Sequence, residues 1–307
     1  MLSRLAERFY WLGRYVERAE DTARLLATHD QLLLDMPATA SVLWRSLVEI
    51  LGVDSMFRAA YRGYTERNVV RFAVTEEQSP SSIVSAIKFA RENARTVREI
   101  LPSEAWELVN QLYLASHDRA AQALNRTQRQ DYLDSVVKGC QQLSGLFANT
   151  LSRREPYQFL ALGAAIERAD MTSRILDVGA LYASGRGDAE LAAYETVLWT
   201  NLLLSISAYQ MYRQEVRARI TAQGVVGFLL HDTAFPRAVA YCMTVASAAL
   251  KELPQHAVPL AASDAVFALL AMNRRAPQCD GTLHDYLDVL QAKLGNFHTA
   301  VEHTWFA

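Results

Sequence analysis

The sequence predicts an all-α protein, a multi-helix bundle of about eleven helices built from two pseudo-twofold-related repeats. Thirteen glycines and eight prolines are few for 307 residues, and this composition favours helices over strands. Apolar residues also recur at steps of three and four, as they do on one face of a helix. The third observation is an internal repeat: the stretch Phe9 to Leu26 returns as Phe159 to Leu176 with nine of eighteen positions identical.

The first repeat begins with a long helix. Its apolar side chains step by four and three from Leu5 to Leu26, and the helix is expected to end before Pro37. A second helix is predicted from about Ser41 to Tyr64. A further helix is expected to start near Pro80, where Ser79 stands in the capping position.

Two more helices complete the first repeat, the last running from about Asp131 to Arg153. The boundary is placed at Glu155 and Pro156, because a proline stops one helix and is tolerated in the first turn of the next. We therefore expect two helical repeats, residues 1–155 and 156–307, packed as one compact unit.

The second repeat follows the order of the first. Trp199 corresponds to Trp44 and is expected to lie on a long apolar helix. The segment that ends at Pro236 corresponds to the segment that ends at Pro80, so a helix is expected to start near Pro236. A last helix is predicted to end near Trp305.

Charge, cysteine content and hydropathy exclude several classes of protein. The formal net charge of −2 gives no overall basic field, so nucleic acid is not an expected partner. Three widely spaced cysteines predict neither a disulfide framework nor a metal site. The charged N-terminus is unlike a signal peptide, and the longest uncharged run, Thr196 to Tyr212, is short for a membrane span. We expect a cytoplasmic protein with no membrane contact.

The repeated stretch carries a Glu-Arg pair in each copy, and these pairs are the main candidate for a functional site. Helical spacing places Arg14 in the patch of the first pair, and Tyr10 and Trp11 add aromatic rings that the second copy lacks. Arginine suits carboxylate or phosphate ligands because its planar fork can donate two parallel hydrogen bonds. The ligand-binding hypothesis includes Tyr10, Trp11, Arg14, Glu17, Arg18, Arg24, Glu167, Arg168 and Arg174.

A structural role for the two Glu-Arg pairs is the alternative. If the two helices meet, Glu17 can reach Arg168 while the other glutamate reaches Arg18, which would form an ionic core. No catalytic residue is assigned. The sequence lacks the spacing motifs of di-iron bundles, zincins, P-loops, dinucleotide-binding folds and hydrolase elbows, so no metal and no cofactor are expected.

Four segments carry a family resemblance: MLSRLAERFYWLGRYVERAEDTARLL, LPSEAWELVNQLY, FLLHDTAFPRAV and LHDYLDVLQAKLGNFHTAVEHTWF. With these segments the chain resembles the bacterial alpha-E family, a predicted helical domain named for its ER motif. Members of that family accompany circularly permuted ATP-grasp ligases and transglutaminase-like peptidases. The resemblance therefore implies these two partners and a role in peptide synthesis or modification.

Three hypotheses about function result. The first is a helical partner protein of an ATP-grasp amine–carboxylate (peptide) ligase system, which binds an acidic or phosphorylated peptide-like ligand at the ER-motif face. The second is an enzyme in its own right that uses Glu17 or Glu167 as a general base. The third is a purely structural scaffold. The sequence leaves the choice among the three open.

Overall fold

The computed structural model describes residues 3–36, 43–185, 189–272 and 281–307, and within these ranges the chain is helical and has no β-strand. The all-α class is therefore confirmed. The described ranges contain fourteen α helices rather than about eleven, together with 3-10 helices at Ala120–Leu124 and Ala189–Tyr194. The α helices are α1 (Ser3–Asp35), α2 (Leu43–Ile50), α3 (Asp54–Ala60), α4 (Glu66–Thr75), α5 (Ile83–Thr96), α6 (Ser103–Asp118), α7 (Arg126–Thr150), α8 (Glu155–Ala183), α9 (Glu195–Ser205), α10 (Tyr209–Val216), α11 (Ala222–His231), α12 (Val239–Lys251), α13 (Ala257–Met272) and α14 (Gly281–Trp305).

Two of the additional helices arise because two predicted helices are each broken by a residue with positive φ. Gly52 has a φ of 67° and separates α2 from α3, where one helix was predicted. Ser207 has a φ of 55° and separates α9 from α10, which divide the uncharged run Thr196 to Tyr212 between them. A residue in this left-handed region cannot continue a right-handed helix.

Membrane crossing is not indicated by any described helix. None of them is both long enough and apolar enough to span a bilayer.

The two helices predicted to start near Pro80 and Pro236 begin later in the chain than predicted. Helix α5 begins at Ile83, and its capping residue is Ser82, whose hydroxyl accepts a hydrogen bond of 3.3 Å from the amide of Ser85. The predicted cap, Ser79, is buried with its hydroxyl unbonded. In the second half, α12 begins only at Val239. In both places a turn follows the proline, so the proline precedes the helix and does not start it.

The chain divides into two compact units, Met1–Ala164 and Ala165–Ala307, and the division lies inside α8. The repeat boundary predicted at Glu155 and Pro156 coincides with the first residues of that helix. In the first unit, α1 lies against α5 and α7, and α6 packs on both of those helices. Its core contains fully buried side chains that include Phe9, Leu12, Phe57, Phe72 and Tyr132.

The second unit contains the greater part of α8 together with α9 to α14. Here α13 packs against α12 and α14, and α11 packs against α9, α10 and α12. The exposed side of α13 carries Val258 and Met272, with 66% and 82% of their surface accessible. The core of this unit contains buried side chains that include Trp199, Leu203, Tyr212, Leu229, Met243, Leu290 and Phe297.

Helix lengths recur between the two units. Helices α4 and α11 have 10 residues each, α6 and α13 have 16 each, and α7 and α14 have 25 each. The N-caps of α4 and α11 also agree, because Thr65 accepts a hydrogen bond from the amide of Asn68 and Thr221 from the amide of Gly224.

One long-range hydrogen bond also recurs. Within the first unit the hydroxyl of Thr22 donates to the carbonyl oxygen of Ser81 over 3.2 Å. Within the second unit the hydroxyl of Thr172 donates to the carbonyl oxygen of Arg237 over 2.8 Å. Each bond joins the long first helix of a unit to the turn before α5 or α12 and satisfies a backbone acceptor there.

Candidate functional site

The first Glu-Arg pair lies in the middle of α1, and its glutamate belongs to a buried row of acids. Glu17, Glu20 and Asp21 are spaced by three and four positions on one side of the helix, and they are only 1%, 3% and 1% exposed. We call these three residues the carboxylate row. Ionised carboxylates at this depth require cationic or hydrogen-bonding partners, because desolvation of an unpaired charge costs several kcal/mol.

Part of that compensation is visible on the same helix and on α7. Arg24 forms an ion pair with Glu20 one turn away, and Gln141 of α7 donates to the same carboxylate over 3.5 Å. The thiol of Cys140, also on α7, is buried next to the carboxylate row. Burial raises the pKa of Cys140 well above its usual value, and the negative charges of Glu20, Glu17 and Asp21 raise it further.

Arginines and aromatic rings alternate along the neighbouring side of α1, in an arrangement that we call the aromatic ladder: Tyr10, Trp11, Arg14, Tyr15 and Arg18. The guanidinium carbon of Arg14 lies 5.8 Å from the ring centre of Tyr10 and 5.3 Å from that of Trp11. That of Arg18 lies 5.4 Å from the ring of Tyr15. These three distances, each between a guanidinium group and an aromatic ring, are typical of cation–π interactions.

The rings of the aromatic ladder also contact one another. Trp11 and Tyr15 are stacked with ring centres 5.3 Å apart, and Tyr15 meets Phe89 of α5 at 5.2 Å. Trp11, Tyr15 and Arg18 are each partly exposed, and Phe89 is 37% exposed. The ladder therefore presents apolar ring surface and guanidinium groups together at the surface of the first unit.

Arg14 and Tyr10 are the buried members of the aromatic ladder, and Arg14 is the only charged one of the two. It is 7% exposed, and one of its terminal nitrogens donates to the hydroxyl of Tyr10 over 3.4 Å. Its aliphatic stem lies beside Gly163 in the first turns of α8, where an added Cβ would come within 3.3 Å of the Cγ of Arg14. The absence of a side chain at Gly163 is what leaves room for this arginine.

The second Glu-Arg pair lies on the part of α8 that belongs to the second unit. Glu167 is buried at 3% exposure, and Arg168 is partly exposed. One turn further, Arg174 donates from Nε to the carboxylate of Asp170 over 3.0 Å. The pair Asp170 and Arg174 has the same spacing as Glu20 and Arg24 on α1.

The structure therefore brings together on α1 the six candidates of the first copy, and it places the three of the second copy along α8. The first group comprises Tyr10, Trp11, Arg14, Glu17, Arg18 and Arg24, and the second Glu167, Arg168 and Arg174. Sequence reasoning missed Asp21 as a buried acid. The four-residue step from Glu17 to Asp21 is the signal that could have identified it.

A second ionic cluster in the first unit was not predicted either. Arg129 of α7 is only 2% exposed, and it forms ion pairs with Asp30 of α1 and Glu66 of α4. Its Nε donates to the carbonyl oxygen of Ala123 over 2.7 Å, and the Glu66 bond measures 2.9 Å. All three guanidinium nitrogens are thus engaged, which indicates a structural link between three helices.

A cavity of about 500 Å³ lies next to this cluster, lined by Thr65, Glu66, Arg67, Leu124 and Arg129. The hydrogen bonds from Arg129 and Arg126 outweigh the effect of burial and hold the pKa of Glu66 below its usual range. Both arginines already bind this carboxylate, and each guanidinium nitrogen of Arg129 already makes a hydrogen bond, so the cluster is accounted for as a link between helices.

The fold and the site together define a class of all-α protein in which two long helices each carry a buried glutamate followed by a partly exposed arginine. The chain belongs to the Alpha-E family, described as a predicted alpha-helical domain with a conserved ER motif, whose profile matches residues 1–306. The repeated stretch of this chain carries Glu-Arg pairs at Glu17-Arg18 and Glu167-Arg168, and we refer to these two pairs as the ER motif.

Among curated proteins, the chain is similar to uncharacterized proteins of Mycobacterium bovis and Mycobacterium tuberculosis. Each is 23% identical over 270 residues, which is 82% of this chain and 30% of the relative. The chain thus spans about a third of the length of these relatives. No solved structure matches the chain.

Proposed function

We propose that this protein is the helical partner of an ATP-grasp amine–carboxylate (peptide) ligase system and binds an acidic or phosphorylated peptide-like ligand at the ER-motif face of α1. The observation that carries the proposal is the aromatic ladder. It places the guanidinium groups of Arg14 and Arg18 against aromatic rings that are partly open to solvent. This combination suits a ligand with an anionic end and an apolar or peptide-like body.

The geometry supports anion recognition through preorganisation. The guanidinium of Arg14 is fixed by the ring of Trp11 and by the hydroxyl of Tyr10, so little side-chain entropy is lost when a ligand binds. Arg18 is the more accessible of the two arginines and can donate a forked pair of hydrogen bonds to a carboxylate or phosphate. Arg14 and Arg18 are one helical turn apart, so the positive charge of the buried Arg14 adds to the attraction of the more accessible Arg18 for an anion.

The lengths of the relatives support the partnership. Most of each mycobacterial relative lies outside the region matched by this chain, so a helical domain of this kind is joined there to a larger polypeptide. A domain that is fused to other domains in one protein commonly works with equivalent separate proteins in another. The proposed partners are the circularly permuted ATP-grasp ligase and the transglutaminase-like peptidase that the family resemblance implies.

We also infer that the two units descend from one duplicated seven-helix repeat. The equal lengths of three of the seven helix pairs and the hydrogen bonds of Thr22 and Thr172 support this inference. So does the ion pair of Arg24 with Glu20, which has its counterpart in Arg174 with Asp170. On this basis the ligand-binding role belongs to the first copy, because the second copy has no residue equivalent to Trp11 or Arg14.

One observation favours the scaffold as a second candidate. Glu17 is 1% exposed and Glu167 is 3% exposed, and burial of both glutamates of the ER motif is what an ionic core would require. The same burial would be required of a general base with a raised pKa, which is how the chain could act as an enzyme. If the protein is only a scaffold, substitution of Arg18 should leave the reactions of its partners unchanged.

The experiment measures ATP consumption by the candidate ATP-grasp ligase over pools of amino acids, with and without this chain. We expect the wild-type chain to increase turnover and Arg18→Ala to abolish the increase, while its melting temperature stays within a few degrees of wild type. The matched control is Arg153→Ala, because Arg153 is exposed and lies 3.8 Å from the ring centre of Tyr157 but is far along the chain from the ladder. Equal stimulation by wild type and Arg18→Ala would contradict the ligand-binding role.

A further inference from the structure

Three metal-ligating side chains meet on the second unit, away from the ER motif. They are Asp177 near the end of α8, and His284 and Asp288 in the first turns of α14. The Nδ1 atom of His284 lies 2.7 Å from Oδ1 of Asp177, and its Nε2 atom lies 3.6 Å from Oδ2 of Asp288. Taking one ligand atom from each residue, all three atoms lie within 4.8 Å of one another.

Two rigid helices position these atoms. His284 and Asp288 are four residues apart, so their side chains leave α14 on the same face, as in other pairs of helical metal ligands. Asp177 reaches them from α8 and is the least exposed of the three, at 16% of its side chain, while His284 and Asp288 remain about 60% exposed. The cluster is therefore anchored on one side and open to solvent on the other, which leaves coordination positions for water.

The cluster carries more negative than positive charge. Asp177 and Asp288 supply two carboxylates to one imidazole, and Asp285 adds a third negative charge nearby. An excess of carboxylates over cationic groups at one place favours the binding of a cation.

The first unit provides an independent reason to expect a cation at this place in the fold. Arg129 is the fourth residue of the 25-residue helix α7, and His284 is the fourth residue of the 25-residue helix α14. Arg129 forms an ion pair with Asp30 near the end of α1, as His284 does with Asp177 near the end of α8. The first unit thus holds a permanent cation between carboxylates, where the second unit has an imidazole, which is neutral unless protonated.

We propose that Asp177, His284 and Asp288 bind a divalent transition-metal ion, Zn²⁺ in the first place, through one imidazole nitrogen and two carboxylate oxygens. Two carboxylates balance the charge of a divalent ion, and the imidazole selects Zn²⁺ over Mg²⁺ or Ca²⁺. The imidazole nitrogen that binds the ion must carry no proton, so an imidazolium releases one proton to solvent, whereas a neutral ring keeps its proton on the other nitrogen. The ion would link the first and last helices of the second unit, α8 and α14.

The sequence predicted no metal because its search relied on ligands close together along the chain. His284 and Asp288 alone are two ligands, and the third, Asp177, is 107 positions before the histidine. Only the packing of α14 against α8 brings the set together. The site is independent of the aromatic ladder, so the proposal stands apart from the ligase partnership.

Isothermal titration of the full-length chain with Zn²⁺ alone tests the proposal. We expect one saturable site, which His284→Ala, Asp177→Asn and Asp288→Asn each abolish or weaken by at least ~10-fold, about 1.4 kcal/mol. The matched control is Asp285→Asn, because Asp285 is exposed and stands next to His284. This change removes one negative charge, as Asp288→Asn does, but it removes none of the three proposed ligands. Zn²⁺ should also raise the melting temperature of wild type and of this control, but not that of His284→Ala.

Co²⁺ provides a second readout, because its visible absorption reports the ligands directly. Wild type and Asp285→Asn should develop the same d–d bands, and His284→Ala should not. Absence of saturable Zn²⁺ binding to the wild-type chain would overturn the proposal. So would binding that survives His284→Ala, or binding of Mg²⁺ with equal affinity, since these results would indicate only a general attraction of cations to acidic side chains.

Discussion

Gly13 of α1 lies against Leu160 of α8 so closely that a Cβ at position 13 would overlap the carbonyl oxygen of Leu160. The contact is reciprocal, because a Cβ at Gly163 would overlap the carbonyl oxygen of Tyr10 in the same way. These residues all belong to the first unit, and they bring two helix backbones into direct contact. Glycine is required at both positions because the obstacle is backbone, which cannot rotate away as a side chain can.

Gly13→Ala is therefore expected to destabilise the protein by about 3 kcal/mol, since the added methyl group forces the two helices apart. Chemical denaturation monitored by circular dichroism measures the free energy of unfolding. The matched control is Gly145→Ala on α7, where nothing lies within 4 Å of the added Cβ. The control should be neutral or more stable by up to about 1 kcal/mol, because alanine favours helices. Equal effects of the two changes would show that the contact does not limit stability.

Arg129→Met should destabilise the first unit strongly. The change keeps an unbranched apolar stem but leaves the carboxylates of Asp30 and Glu66 without their shared buried cation, at a cost of about 3 to 5 kcal/mol. Arg126→Met is the control, because Arg126 pairs with the same Glu66 but its side chain is 67% exposed. The control should cost less than about 1 kcal/mol. Urea denaturation of both variants measures the two free energies of unfolding. A small loss of stability for Arg129→Met would contradict the role of Arg129 as a structural link.

Buried His29 should make stability fall in mild acid. Burial lowers the pKa of His29 from 6.5 to about 3, so the folded protein keeps the ring neutral while the unfolded chain takes up a proton below pH 6.5. The unfolded state then binds more protons, and the free energy of unfolding decreases as the pH falls towards 3. From this residue alone the loss between pH 6.5 and pH 5 is about 2 kcal/mol.

The comparison that isolates His29 is His29→Phe, which retains an aromatic ring beside Trp44; the native ring centres are 4.8 Å apart. Denaturation curves at pH 7 and pH 5 should show a smaller loss of stability for the variant than for wild type. Parallel losses in the two proteins would mean that His29 is protonated in the folded state.

The thiol of Cys140 should be inert in the folded protein. It is fully buried, and its pKa is raised by burial and by the neighbouring carboxylate row, so the reactive thiolate is suppressed. Mass spectrometry after exposure to iodoacetamide at pH 8 should find Cys140 unmodified in native protein and modified in denaturant. Rapid labelling of the native protein would show that the region around the carboxylate row opens to solvent.

The fold class and the position of the ER pairs could be predicted from sequence because both depend on local spacing. The steps of three and four that define α1 also place Glu17, Arg18 and Arg14 on known sides of that helix. The breaks at Gly52 and Ser207 were missed for a related reason. Apolar spacing continues across each break, and a left-handed serine has no strong sequence signal.

Contacts between distant helices could not be predicted from sequence. The ion pair of Arg129 with Asp30 joins residues 99 positions apart, and it depends on how α7 packs against α1. Burial was equally difficult to predict, because the local sequence around a glutamate does not show whether it faces solvent or another helix. Glu20 and Asp21 are buried only because Cys140 and the rest of α7 cover this side of α1.

Helix α8 runs without interruption from Glu155 to Ala183, although the division between the two units lies inside it. A gene fragment that stops at Ala164 would cut this helix in its middle and leave its last carbonyl groups without intrahelical partners. Expression fragments of either half should therefore keep α8 whole. A protease that prefers exposed loops would also find no suitable segment at the division, so limited digestion should spare it.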